Sequence, residues 1–380
     1  MPLWALVAAV NLALGLALAA NPDRQSDLET VRRWTHAWLF DGVDLYAPLT
    51  SGTDYPPHAI LFLSPLALLP GAAAAPLWMA LNLLLAVLAP VLAARIARPG
   101  VARADIVCLA ILFLGWSGTK ALLQFTLLTL VLGLAAMRLA ERRPGWSAVC
   151  LGLALMKPQI GLPFLLWAGF SRHTRVAVGS LIVVAAGSVA WCVRASADPF
   201  HVARRYLEIL QVYYAGRGSM VGVSQAGPLI HRLAPDAAAS VATGLLSAAL
   251  LGIVCAAALR ARRGPGLPFA VPAMACIWSL TTFYHLTYGF VLLLPLAALL
   301  LLADAIEPAG WRLPVVTFWV MQVLLVVDAP GLWRRFGPVI WRTPLTEAVF
   351  QDWYRLALIG LFAAAWAIQR RIRRPAAITV

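Results

Sequence analysis

"SDLETVRRWTHAWLFDGVDLYAPLTSGTDYPPH", residues 26–58, is a polar stretch in a chain that is 62% hydrophobic and 12% charged. It carries Asp27, Glu29, Asp41, Asp44 and Asp54; with Asp23 just ahead, this region holds six of the sixteen acidic residues. Apolar runs flank it, "MPLWALVAAVNLALGLALAA" before and residues 73–94 after. Such runs recur through all 380 residues, and the mean hydropathy is +0.82. This composition reads as a polytopic membrane protein, with the acidic stretch as a loop between spans.

A spanning helix needs about 20 apolar residues. Candidates lie near 2–20, 73–94, 120–140, 176–193, 236–259, 267–283, 286–303, 311–328 and 353–369. The first twenty residues lack the basic start of a secretory signal and read as a first membrane helix. Runs at 105–117, 146–156 and 159–171 are short enough to be broken or re-entrant helices, so the expected total is about 10–12 transmembrane helices. The fold class is all-α.

The net charge of +14 would suggest nucleic acid in a soluble protein. Here the arginines cluster in short loops and the tail: Arg95/Arg98/Arg103, Arg138/Arg142/Arg143, Arg172/Arg175, Arg260/Arg262/Arg263, Arg312 and Arg370/Arg371/Arg373/Arg374. That pattern signals topology and contact with membrane lipids, and no nucleic-acid partner is expected. It places these loops in the cytoplasm and the longer polar segments 21–72, 195–235 and 329–352 on the extracytoplasmic face of a plasma or inner membrane. Residues 1–380 read as a single transmembrane domain. Cys108, Cys150, Cys192, Cys255 and Cys276 lie in apolar runs without metal-ligand spacing, so neither a disulfide framework nor a zinc site is expected.

Within the opening loop, Ser26-Asp27-Leu28-Glu29 fits a capping box, with Ser26 capping a helix and Glu29 reaching back to it. Leu28, Val31, Trp34, Trp38 and Leu39 follow at helical spacing, predicting a short amphipathic helix at the outer surface. Asp27 falls in its first turn, where a carboxylate is favoured by the helix dipole. The alternative is a catalytic carboxylate beside the bilayer. Tyr55-Pro56-Pro57 stiffens the chain before "HAILFLSPLALLP", a second interfacial helix.

The order "SDLETVRRW…DGVDLYAP…DYPPHAILFLSPLALLP" closely resembles the first outer loop of glycosyltransferase family 87, membrane enzymes of the GT-C type. Further matches follow in order: "LLQFTLLTLVL", "GLALMKPQIG", "VSQAGPLIHRL" and "SLTTFYHLTYGFVLLLPLA". Leu123 stands where the family usually has Gly before Gln124, and Ser224-Gln225-Ala226 replaces Asn-Gln-Ser. The resemblance covers most of residues 20–300; none is seen beyond 305. It implies a polyprenyl-phosphate sugar donor, with mannose the expected sugar, and a glycolipid or glycan acceptor. Asp27 matches the family's base, with His285 and basic outer-face residues near the donor phosphate. Asp44, Tyr46, Tyr55, Gln124 and Gln225 stand at motif positions expected to contact substrate.

Sugar transfer from a lipid phosphate needs a base for the acceptor hydroxyl and positive charge for the leaving group. One carboxylate suffices for inversion, whereas a retaining double displacement wants a second as nucleophile. The resemblance implies inversion. Candidates for the phosphate are Lys157, His285, Arg204 and Arg205, with Lys120 and Arg217 as further cations. The chain has two lysines, and both interrupt apolar runs, where charge is costly. A snorkelling Lys157, a solvated Arg204/Arg205 face and a backbone-bonded His285 are the structural alternatives. No cofactor or metal is expected, since protein cations can neutralise one phosphate. A transporter or flippase of a lipid-linked glycan is the competing function, and a non-catalytic assembly subunit a third.

Overall fold

The computed structural model describes residues 27–47, 53–97, 124–215, 224–263, 267–285, 287–307, 310–326 and 344–372, with positions 9 and 13. The spans expected at 2–20 and 105–117, Ser26 and most of segment 329–352 lie outside the described residues. Every described regular element is helical, as expected. Four stretches are long and apolar enough to cross a membrane: Gly71–Ala97, Thr174–Ala195, Asp236–Arg263 and Gly289–Ile306. They cover four of the predicted spans.

In chain order the helices are α1 (Asp27–Asp41), α2 (Pro57–Leu63) with a 3-10 turn at Ser64–Leu68, α3 (Gly71–Ala97), α4 (Thr126–Leu139), α5 (Pro144–Ala154), α6 (Pro158–Phe170) and α7 (Thr174–Ala195). Then follow α8 (Pro199–Ala215), α9 (Gly227–Leu233), α10 (Asp236–Arg263), α11 (Ala270–Thr282), a 3-10 stretch Thr287–Leu293, α12 (Leu294–Ile306), α13 (Arg312–Val326) and α14 (Pro344–Arg371). Several begin with proline in the first turn, where its missing N–H costs nothing.

The arginine-bearing ends gather at one end of the bundle. Arg172 pairs with Glu141 at 3.1 Å, and Arg262 donates to Ser171 O at 2.8 Å and Gly169 O at 2.9 Å. Arg371 pairs with Glu307. The polar segments α1, α2, α8 and α9 lie at the opposite end. A large apolar core joins α3–α7 and α10–α14. A second core under the polar-loop end is rich in aromatics: Trp38, Tyr46, Tyr55, Trp78, Phe125 and Trp191.

Two of the three runs left ambiguous by length, 146–156 and 159–171, form a helical hairpin. α5 has 11 residues and α6 has 13. At about 1.5 Å per residue they rise roughly 16 and 20 Å, short of the ~30 Å hydrocarbon core. The Arg172–Glu141 pair holds both feet at the arginine end. At the tip, a Cβ on Gly161 would lie 2.5 Å from Ala154 O, so glycine there lets the arms close. Met156, Lys157 and Pro158 are thereby carried to the underside of the polar-loop layer.

Candidate active site

α1 is amphipathic as predicted. Leu28, Val31, Thr35 and Trp38 are buried, and the helix packs on α2, the following 3-10 turn and α7. Glu29, expected to reach back to the helix cap, is engaged by Arg32 at 2.8 and 3.0 Å. The helix stops at Gly42, whose φ of +66° is a left-handed conformation. A Cβ there would also lie 2.7 Å from the Arg194 guanidinium, which caps the helix by donating to Leu39 O and Phe40 O. Trp38 Nε1 donates to Trp191 O at 3.2 Å. These contacts fix α1 on α7 and leave Asp27 exposed at its start.

Asp44 accepts from the Tyr46 amide at 2.8 Å, closing a turn. Tyr46 is fully buried against Trp191 and Tyr206, and its hydroxyl donates to Tyr55 O at 2.5 Å. The Tyr55 ring meets Phe125 edge-on, and the Lys157 ammonium lies 5.6 Å from its centroid. Asp44 and Tyr46, expected at the substrate, thus shape the loop that delivers Asp54 and Tyr55 to Lys157.

Lys157 closes the N-terminus of α6 and is buried, 5% exposed. Its Nζ donates to Gln124 Oε1 at 2.8 Å and to Thr126 Oγ1 at 3.4 Å. Gln124 Nε2 donates in turn to Asp27 Oδ2. Three sequence-distant site residues therefore form one chain, Lys157 to Gln124 to Asp27. The ammonium lies in the field of both the Asp27 and Asp54 carboxylates, and its charge also reaches His285.

His285 follows α11 and is buried. Its Nε2 pairs with Ser279 Oγ at 3.1 Å, and Ser279 donates to Gln159 O beside the hairpin tip. A Cβ on Gly289 would lie 2.7 Å from His285 Nδ1. Segment 224–226 straps this region: Ser224 N donates to His285 O at 3.0 Å, Ala226 N to Thr281 O at 2.9 Å, and Gln225 Nε2 to Thr282 O at 3.1 Å. Gln225 therefore braces the histidine segment.

Arg204 and Arg205 lie on α8, both paired with Glu208 at 2.9 and 2.7 Å. Their hydrogen bonds hold the Glu208 carboxyl below its usual range. Arg205 also donates to Tyr46 O at 3.4 Å. Sequence reasoning passed over Arg355, which is 2% exposed on α14 with its guanidinium 5.2 Å from the Tyr354 ring centroid. Tyr354 meets Phe290, just after His285 in the chain, edge-on. Its signal in the sequence was weak, since Arg355 lies at the polar start of its apolar run, just after Gln351 and Asp352. Among the described residues no three His, Cys, Asp or Glu side chains converge as metal ligands.

The arrangement offers an exposed carboxylate at the polar-loop end, a buried cation one amide away, and an imidazole behind it. The model of glycosyltransferase family 87 matches residues 53–264. The chain belongs to glycosyltransferase family 87. No curated protein and no solved structure matches it. In this glycosyltransferase the matched span contains Tyr55, Gln124, Lys157, Arg204, Arg205 and Gln225, whereas Asp27, Asp44, Tyr46 and His285 fall outside it. Geometry connects the outlying residues to the matched core: Asp27 bonds to Gln124, and His285 is strapped by Ser224. Family membership also favours sugar transfer over the transporter reading.

Proposed function

We propose that this glycosyltransferase moves mannose from a polyprenyl-phosphate donor to a lipid-linked or glycan acceptor, with inversion, at the extracytoplasmic face of the plasma or inner membrane. Residues 1–380 act as one transmembrane domain. The observation that carries this reading is the hydrogen-bonded chain from exposed Asp27 through Gln124 to buried Lys157. Asp27 takes the proton of the acceptor hydroxyl as that oxygen attacks the anomeric carbon. The bond from this carbon to the phosphate oxygen breaks, and the polyprenyl phosphate leaves with the electron pair. A positioned base contributes typically about 10²- to 10⁴-fold.

The leaving phosphate needs positive charge close by. Lys157 supplies the inner charge of that field, with His285 beside it as a hydrogen-bonding imidazole, and Arg204 and Arg205 on α8 face the donor's approach from the membrane surface. Tyr55 lies against Lys157, and Asp44, Tyr46 and Gln225 act on substrate by shaping the segments around it. No cofactor enters the scheme. The test is incubation of purified protein with radiolabelled polyprenyl-phosphate mannose and membrane glycolipids in detergent, with the anomeric configuration of the product read by NMR. Transfer with inversion is expected. Retention would require a second nucleophilic carboxylate, and absence of transfer from a prenyl phosphate would exclude the donor class.

A further inference from the structure

Gln124 was expected at the substrate, yet both ends of its amide are taken by protein. A lysine ammonium only donates and a carboxylate only accepts, so the amide has one possible orientation: Oε1 toward Lys157 and Nε2 toward Asp27. Gln124 is 8% exposed and sits one residue before Phe125, which is fully buried between Trp78 and Tyr55. Gln124 is therefore held on a rigid aromatic platform at the start of α4. It occupies Oδ2 of Asp27; among the described residues Oδ1 accepts nothing, and Asp27 is exposed. The carboxylate thus presents one oxygen.

We propose that Gln124 is the positioning residue of the base. Its amide turns Asp27 so that Oδ1 faces the acceptor hydroxyl, and it ties that orientation to Lys157 on the hairpin tip. This rests on the reading of Asp27 as the base. The same link couples the two halves of the reaction: a displacement of Lys157 toward an arriving phosphate is felt at the carboxylate through a single side chain. Among the described residues, α1 itself carries the charged Glu29, Arg32 and Arg33, while Asp54 and His285 interact electrostatically with Lys157 on the far side of Gln124.

The test combines infrared titration of the purified protein with turnover of radiolabelled polyprenyl-phosphate mannose on a membrane glycolipid extract. The Asp27 carboxylate band is assigned by subtracting the Asp27→Asn spectrum. Gln124→Glu keeps an acceptor for Lys157 but sets two carboxylates side by side, and such a pair retains a proton to higher pH. The Asp27 midpoint should rise by on the order of one pH unit, and the acidic limb of kcat should move with it. Gln124→Asn is neutral and one methylene too short to span both partners. It should lower kcat about 10- to 100-fold with the KM for acceptor nearly unchanged. An unmoved Asp27 midpoint in Gln124→Glu, or a Gln124→Asn variant that raises only the KM for acceptor, overturns the proposal. Full turnover in Asp27→Asn would instead defeat the base assignment, and the infrared midpoint would still decide whether Gln124 governs the carboxylate.

Discussion

Lys157 is a buried charge that donates to an amide oxygen and a hydroxyl, lies near an aromatic face and sits in the field of the Asp27 and Asp54 carboxylates. A buried cation is costly unless it has a task, and receiving a phosphate at the tip of the hairpin is the one proposed for it. Lys157→Met should weaken donor binding about 10- to 100-fold, since a hydrogen bond to a charged group contributes about 1.5–3 kcal/mol. His285→Ala should act in the same direction. Equilibrium titration with the prenyl-phosphate donor reads both, and wild-type affinity in the two variants would remove these residues from the donor site. Lys157 stood out in the sequence because it interrupts an apolar run. Asp27 and Gln124 stood out through the family resemblance, but their link to Lys157 did not, because Gln124 lies 33 residues from Lys157 and Asp27 lies 97 residues from Gln124. Such proximity comes from packing alone, which has no local signature.

The hairpin of α5 and α6 sets the depth of Lys157, and its closure depends on Gly161. Gly161→Ala would press a methyl onto the Ala154 carbonyl and should cost about 1–3 kcal/mol of stability, with turnover falling as the tip shifts. Gly145→Ala in the same hairpin meets nothing within 4 Å and should be silent, so thermal unfolding of the two variants side by side checks the argument. From sequence these helices were readable as short apolar runs, broken or re-entrant, and the choice stayed open because hydropathy cannot distinguish a short span from a re-entrant arm. The amphipathic face of α1 was legible, since its tryptophans and leucines keep helical spacing, whereas the contact of Glu29 with Arg32 was not. Its Glu29 carboxyl is held below the ordinary value of 4.5 by hydrogen bonds from Arg32. A depressed folded-state value means the stabilisation is complete above 4.5 and is lost as pH falls through the lower folded value. Hydrogen exchange of α1 should therefore be slower in wild type than in Glu29→Gln near neutral pH, with the difference closing in acid.

Across the whole molecule, the arginine-bearing ends and the site lie at opposite ends of the bundle, and the proposed outward orientation of the site rests on the positive-inside rule. A cysteine at Phe200, which is 87% exposed on α8, should react with an impermeant thiol reagent in intact cells, whereas one at Arg172 should be protected. The reverse pattern would move the chemistry to the cytoplasm and exclude the proposed donor face. The composition sufficed for the class of fold; the assembly of Asp27, Gln124, Lys157 and His285 into one site required the packing of α1, α4, α6 and α11. On the proposed reading this site transfers sugar with Asp27 as base. The most direct test is single-turnover transfer from labelled polyprenyl-phosphate mannose by proteoliposomes carrying wild type or Asp27→Asn, with Asp41→Asn and Asp44→Asn alongside. Asp27→Asn should slow the chemical step at least about 10²-fold with donor binding intact, and the other two should stay within a few-fold of wild type. Near-wild-type transfer by Asp27→Asn, or a collapse confined to Asp44→Asn, would contradict the assignment.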